Sequence, residues 1–124
     1  MRKVLLDLHK IELYGWEKEK SLRRVQAYLR VLQSGSVFAP LKIWRILDGR
    51  FHLDKESLDA ENPALKDGGH HRALAHYLAK IPLSAIITEE IPHLPSYSYR
   101  IQDLELVEAL GKSISAEAYE RLGQ

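Results

Sequence analysis

The sequence has no cysteine. This removes disulfides, thiolate nucleophiles and cysteine-ligated zinc or iron–sulfur centres together, and it fits a reducing compartment, so a cytoplasmic location is expected. Long apolar runs are missing too: none approaches the roughly 18 residues that a membrane span needs. Asp7 interrupts the apolar start of Val4, Leu5 and Leu6 too early for a signal peptide, so neither a membrane partner nor export is expected. Net charge is scarce, because 18 Lys and Arg face 17 Asp and Glu, which leaves +1. With so small a global field, any contact with a polyanion has to come from a local patch. There is no internal repeat and no low-complexity tract. What is present, 124 residues of which 45% are hydrophobic and 28% charged, suits one domain with one modest core.

Periodicity supplies the elements. Leu6 and Leu8, then Ile11 and Leu13, alternate as a half-buried strand over residues 4–13 with an irregularity near His9. Ser21 is placed to cap a helix in which Leu22, Val25, Leu29 and Leu32 recur at helical spacing, and Gly35 is available to end it. Residues 40–47 read as a strand, with Leu41, Ile43 and Leu47 on one face, and Asp48-Gly49 turns the chain into a second strand over 50–53. Residues 54–66 are polar, contain Asn62-Pro63 and hold no period, which predicts a loop. A helix follows from Gly69, with Leu74, Tyr77 and Leu78 inward, and Ile81-Pro82 closes it. A last strand covers 83–88, and two short helices are expected over 103–110 and 115–122. The fold class expected is α+β: a small mixed sheet or partial barrel with packed helices, residues 1–91 forming the main body and 92–124 a connection and helical tail on the same domain.

The stretch that can carry chemistry is Asp67-Gly68-Gly69-His70-His71-Arg72. Two glycines permit positive φ and close approach of a ligand, and a helix start offers N–H groups and the positive end of a dipole to an anion. Arg72 can present a two-pronged fork to phosphate oxygens. His71 titrates near neutral pH and is a candidate general acid or base, though hydrogen bonding to phosphate serves it equally. Asp67 is either a helix cap or a carboxylate for magnesium, with Glu12 and Glu17 as further carboxylates by type.

The order hairpin, glycine turn, His/Arg-bearing alanine-rich helix and strand resembles the ParB/sulfiredoxin superfamily over residues 4–90. The resemblance is carried by Pro40-Leu41-Lys42-Ile43, Gly49-Arg50-Phe51-His52-Leu53 and Asp67-Gly68-Gly69-His70-His71-Arg72-Ala73-Leu74-Ala75-His76. It implies a site at Gly68, Gly69, His70, His71 and Arg72 that cradles the phosphates of a nucleotide. Members include nucleotide-using partition proteins, sulfiredoxins, a kinase and nucleases, so the resemblance implies a phosphate pocket more sharply than a reaction. Nucleotide hydrolysis, nuclease action or phosphoryl transfer with magnesium, with Asp67 and His71 as catalytic candidates, are the activities it suggests. Sulfiredoxin chemistry is excluded because it needs a cysteine. The partition proteins carry two arginines in their signature where this chain has His71 before Arg72, and they add a complete helix-turn-helix domain.

Other readings stand beside this one. The basic face from Lys18 to Arg30, with Arg23 and Arg24, suits DNA or RNA or a protein partner, although a solvated face is the commoner use of such a pattern. A helix-Gly-helix look around Gly111 reads as packing on the sheet, or on a second copy in a homo-oligomer, ahead of DNA reading. His70, His71 and His76 offer no i,i+4 pair, which argues against zinc. Trp16 and Trp44 can stack a base, with core packing the default.

Overall fold

A computed structural model describes residues 2–55 and 68–123. Among these, nine strands and three helices form a mixed α+β fold with two sheets. The strands are β1 (Arg2–Leu6), β2 (Leu13–Gly15), β3 (Glu19–Ser21), β4 (Leu41–Ile46), β5 (Phe51–Leu53), β6 (Leu83–Ile91), β7 (Tyr99–Arg100), β8 (Glu105–Val107) and β9 (Ser113–Ser115). The helices are α1 (Leu22–Gln33), α2 (Gly68–Ala79) and α3 (Ala116–Arg121), with a 3-10 turn at Ile101–Asp103. The larger sheet runs β1-β6-β4-β5-β2-β7, so among the described residues it is open, with β1 and β7 as its edges. The smaller sheet runs β3-β8-β9.

Alternation in β4 sends Leu41 and Ile43 to the core, and its hairpin partner β5 adds Leu53. Strand β6 lies parallel to β4 and contributes Leu83, Ala85 and Ile87. α2 lies against this apolar face and also packs on α1, on the 3-10 turn and on α3. Every residue from Ala73 to Leu78 is therefore buried, as are Gly69, His70 and His71. A helix enclosed on several sides shows no single apolar stripe, which is why the sequence pattern picks out Leu74 and Leu78 but leaves the histidines looking free. α1 is the conventional case, with Leu22, Val25, Leu29 and Leu32 inward, Ser21 Oγ accepting from the Arg24 N–H at 3.3 Å, and Gly35 at φ +91° beyond its end.

Four expectations need correction, and the first is Leu47, which is exposed and not on the face of Leu41 and Ile43 because β4 ends at Ile46. The single strand over residues 4–13 is two strands in different places, because the Asp7 carboxylate accepts the His9 N–H at 2.9 Å while its carbonyl accepts those of Lys10 and Ile11. That turn sends β1 to β6 and β2 to β5 and β7. The helix expected over 103–110 is a 3-10 turn followed by a hairpin, β8 and β9, with Gly111 at φ +83° in its turn. The buried pair Leu104 and Leu106, two apart, is a strand spacing. α3 does form, over a shorter span than expected, with Ser115 Oγ accepting from Ala118 N–H. The start of α2 also moves by one residue: Gly68, expected in the turn, is the first residue of the helix that was expected from Gly69. Of the loop expected over 54–66, residues 56–66 lie outside the described residues. No helix among the described residues is long and apolar enough to cross a membrane.

Leu104, Leu106 and Ala116 belong to the same buried cluster as Leu74 and Ile43. The tail should thus unfold with the body. Leu106→Ala is expected to cost about 2–5 kcal/mol, with tryptophan fluorescence and circular dichroism reporting one coincident urea transition. Two separated transitions would show that the tail is an independent unit.

Candidate functional site

The start of α2 is held in place by a backbone clasp. The Trp16 N–H donates to His70 Nε2 at 3.1 Å, so a neutral His70 carries its proton on Nδ1. The ring sits so close to the end of β2 that a Cβ on Gly15 would lie 2.5 Å from its Nε2 and 2.6 Å from its Cδ2. Only glycine leaves that space. His70 is 2% exposed, and the Trp16 ring lies 5.8 Å from it.

From His70 an aromatic wall continues onto the sheet. Trp44 and His52 face each other across β4 and β5, their rings 5.6 Å apart and 23° from parallel, and Trp16 meets His52 edge-on at 4.8 Å. His52 is fully buried. Its Nδ1–H donates to the Leu53 carbonyl at 2.8 Å, which fixes the tautomer and leaves Nε2 as an acceptor. That Nε2 has no hydrogen-bond partner among the described residues. Burial pushes the His52 pKa below the ordinary histidine value, against the opposing pull of the Leu53 carbonyl.

Just beyond β5 stands the buried Asp54. The register of β4 on β6 passes from Ile43–Ile87 to Trp44–Glu89, so Thr88 is the extra residue of a β-bulge. Bulges re-aim side chains, and here the Thr88 hydroxyl lies on the Asp54 carboxylate, with the Ile43 carbonyl 3.2 Å away.

The residues expected to form the site divide. Gly68 and Gly69 open α2, and His70 follows in the clasp. His71 turns toward α1: it is 3% exposed, and its ring stacks on Tyr28 at 6.0 Å and 20°. Tyr28 in turn meets Phe38, and Phe38 meets His76, so an aromatic chain seals the seam between α1 and α2. Arg72 is half-buried at the end of the first turn. Asp67 lies outside the described residues. No acidic residue occupies the first turn of α2, which leaves its positive dipole end uncompensated within the helix. Among the described residues no three His, Cys, Asp or Glu side chains group as metal ligands. Of the basic face from Lys18 to Arg30, Lys20 is removed: it is buried and its ammonium pairs with Glu17.

Sequence reasoning missed Gly15, Asp54 and Thr88, and left His52 within a strand pattern. The Gly15-Trp16 pair, a glycine followed by a large aromatic at a strand end, is the one local signal, since a glycine in a strand often marks close approach. Comparison with family models, with curated proteins and with solved structures returned no match.

Two outcomes follow from the clasp and the buried imidazoles. Gly15→Ala should destabilise the fold by about 1–3 kcal/mol through overpacking. Combined with His70→Ala it should cost less than the sum of the two single changes, read by urea unfolding. Additive costs would remove the contact from the account. Burial also depresses His76, whose ring bonds to the Ile81 carbonyl at 3.0 Å. Both imidazoles stay neutral in the folded chain while the unfolded chain takes up protons near pH 6.5, so their contribution is present above that pH and is lost as pH falls. Stability should drop below pH 6.5 by up to about 1.4 kcal/mol per pH unit per histidine, and His52→Gln should flatten the slope. A wild-type slope unchanged in the variant would exclude His52 as a source.

Proposed function

We propose that this chain binds a nucleotide, or another phosphorylated ligand, at the start of α2. The observation that carries the reading is the convergence of two things at one end of the helix: a first turn without acidic residues that contains Gly68, Gly69 and Arg72, and the wall of Trp16, Trp44 and His52 joined to it through His70. The first four N–H groups of any helix lack intrahelical acceptors and suit phosphate oxygens. Aromatic faces beside them suit a planar base. The resemblance to the ParB/sulfiredoxin superfamily supports the same placement, because its members hold nucleotide phosphates at the corresponding turn.

In this reading Arg72 is the phosphate fork and His70 the fixed member that ties the helix start to β2. His71, packed on Tyr28, sets the angle of α2 against α1, which suits it to positioning more than to proton transfer. Phosphoryl transfer or phosphate-ester hydrolysis is the class of reaction that the resemblance suggests. Magnesium would be held by the ligand's phosphates together with one carboxylate, Asp54 or Asp67, in keeping with that ion's habit of taking few protein ligands.

Calorimetric titration of the full chain with nucleoside di- and triphosphates, with and without magnesium, tests this. Saturable binding is expected, and Arg72→Ala should weaken it roughly 10- to 100-fold, the range for a lost charge-assisted hydrogen bond. Equal affinity in a folded variant would exclude Arg72, and no binding across the panel would end the nucleotide reading.

A further inference from the structure

We propose that the solvent-facing side of α1 is a docking surface for duplex DNA, which it holds by the phosphate backbone. The helix has 12 residues, three of them arginines, and no acidic residue at all. Arg23, Arg24 and Arg30 are all exposed. Four other described arginines sit on carboxylates: Arg45 on Glu90, Arg50 on Asp48, Arg100 on Asp103 and Arg121 on Glu117. The three on α1 form no ion pair among the described residues, even though Arg23 shares the lining of a shallow depression with Glu19 and Glu108.

Their placement works against the helix. Arg23 and Arg24 lie in the first turn of α1, where the dipole already concentrates positive charge and where a carboxylate would stabilise. Two guanidinium groups there raise the local potential further. Arg30 lies seven residues on from Arg23, roughly 10 Å along the axis at 1.5 Å per residue, so the positive charge runs the length of the helix. Charge complementarity therefore selects a polyanion.

The occupant can be narrowed further. Binding of single strands relies on exposed aromatic side chains that stack bases, and the one aromatic residue of α1, Tyr28, is turned into the seam against His71 and Phe38. An exposed helix also matches the width of the B-DNA major groove, roughly 12 Å, whereas the major groove of an RNA duplex is deep and narrow. The three arginines are exposed, whereas α1 meets the start of α2 through the partly buried Tyr28 and the buried His71.

The test is fluorescence anisotropy of a labelled duplex of about 20 base pairs, titrated with the full chain over a series of salt concentrations. Three phosphate contacts predict binding in roughly the 10⁻⁶ to 10⁻⁴ M range and a slope of log K against log salt of about −2.7. Each of Arg23→Gln, Arg24→Gln and Arg30→Gln should reduce that slope by about 0.9, and the triple variant should abolish binding while keeping the helical circular dichroism signal. Arg72→Ala should leave DNA binding unchanged, which separates this surface from the proposed ligand site. Absence of wild-type binding, an unchanged slope in the folded triple variant or in all three single variants, tighter binding to single-stranded DNA or to anionic lipid vesicles, or loss of DNA binding in Arg72→Ala would each overturn the proposal.

Discussion

The architecture depends on the enclosure of α2. A helix packed against the sheet, α1, the 3-10 turn and α3 has almost no solvent face, so any polar side chain on it must find its partner inside the protein or pay a desolvation cost of about 1–3 kcal/mol. Three of its twelve residues are histidines, all of them buried. His70 meets that demand with the Trp16 N–H, His76 with the Ile81 carbonyl, and His71 packs its ring on Tyr28. These matches fix where β2, α1 and the chain after α2 must lie. Gly15 is the residue without which the first of them cannot be made, since the space a methyl group would need is filled by the His70 ring.

The same enclosure sets the electrostatic character of the two surfaces proposed as functional. Histidines inside are held neutral by burial, as at His52 and His76, so positive charge is carried outside by arginine. Four arginines elsewhere have a carboxylate within reach, as in the bidentate Arg100–Asp103 contact. The three arginines of α1 have no such partner among the described residues, and its first turn also breaks the preference of helix N-termini for acidic residues. Local departures from stability rules are where function is most economically sought.

Much of the skeleton was legible because it follows from local rules. Ser21 as a cap, the four-residue apolar stripe of α1, Asp48-Gly49 as a hairpin turn and the apolar run of β6 are each decided by neighbours in sequence. What was not legible depends on distant partners. The irregularity near His9 does not by itself say that Asp7 will close a turn and divide one apparent strand into two that pair at opposite sides of the sheet. The tail misled because charged residues spaced around leucines fit a helix as well as a strand, and only its pairing with β3 settles the matter. At the candidate site the sequence marked the residues of the α2 start but treated adjacent histidines as companions. A helical step of about 100° sends them to different neighbours, and only the packing identifies Trp16 for one and Tyr28 for the other.

His52 shows how the site and the fold share one energetic account. A leucine or phenylalanine there would fill the space between Trp16 and Trp44 with no polar atom to satisfy. The imidazole instead satisfies Nδ1 locally at the Leu53 carbonyl and leaves Nε2 as a buried acceptor with no described partner. Its pKa is depressed, so protonation is a poor way to relieve that cost near neutral pH. A hydrogen-bond donor brought to Nε2 removes the cost without introducing charge, and a group that binds the folded chain and not the unfolded one stabilises the fold in proportion to its affinity. His52 belongs to the aromatic wall that Trp16 joins to His70, and any such gain in stability would be coupled to the place where the proposed ligand is held.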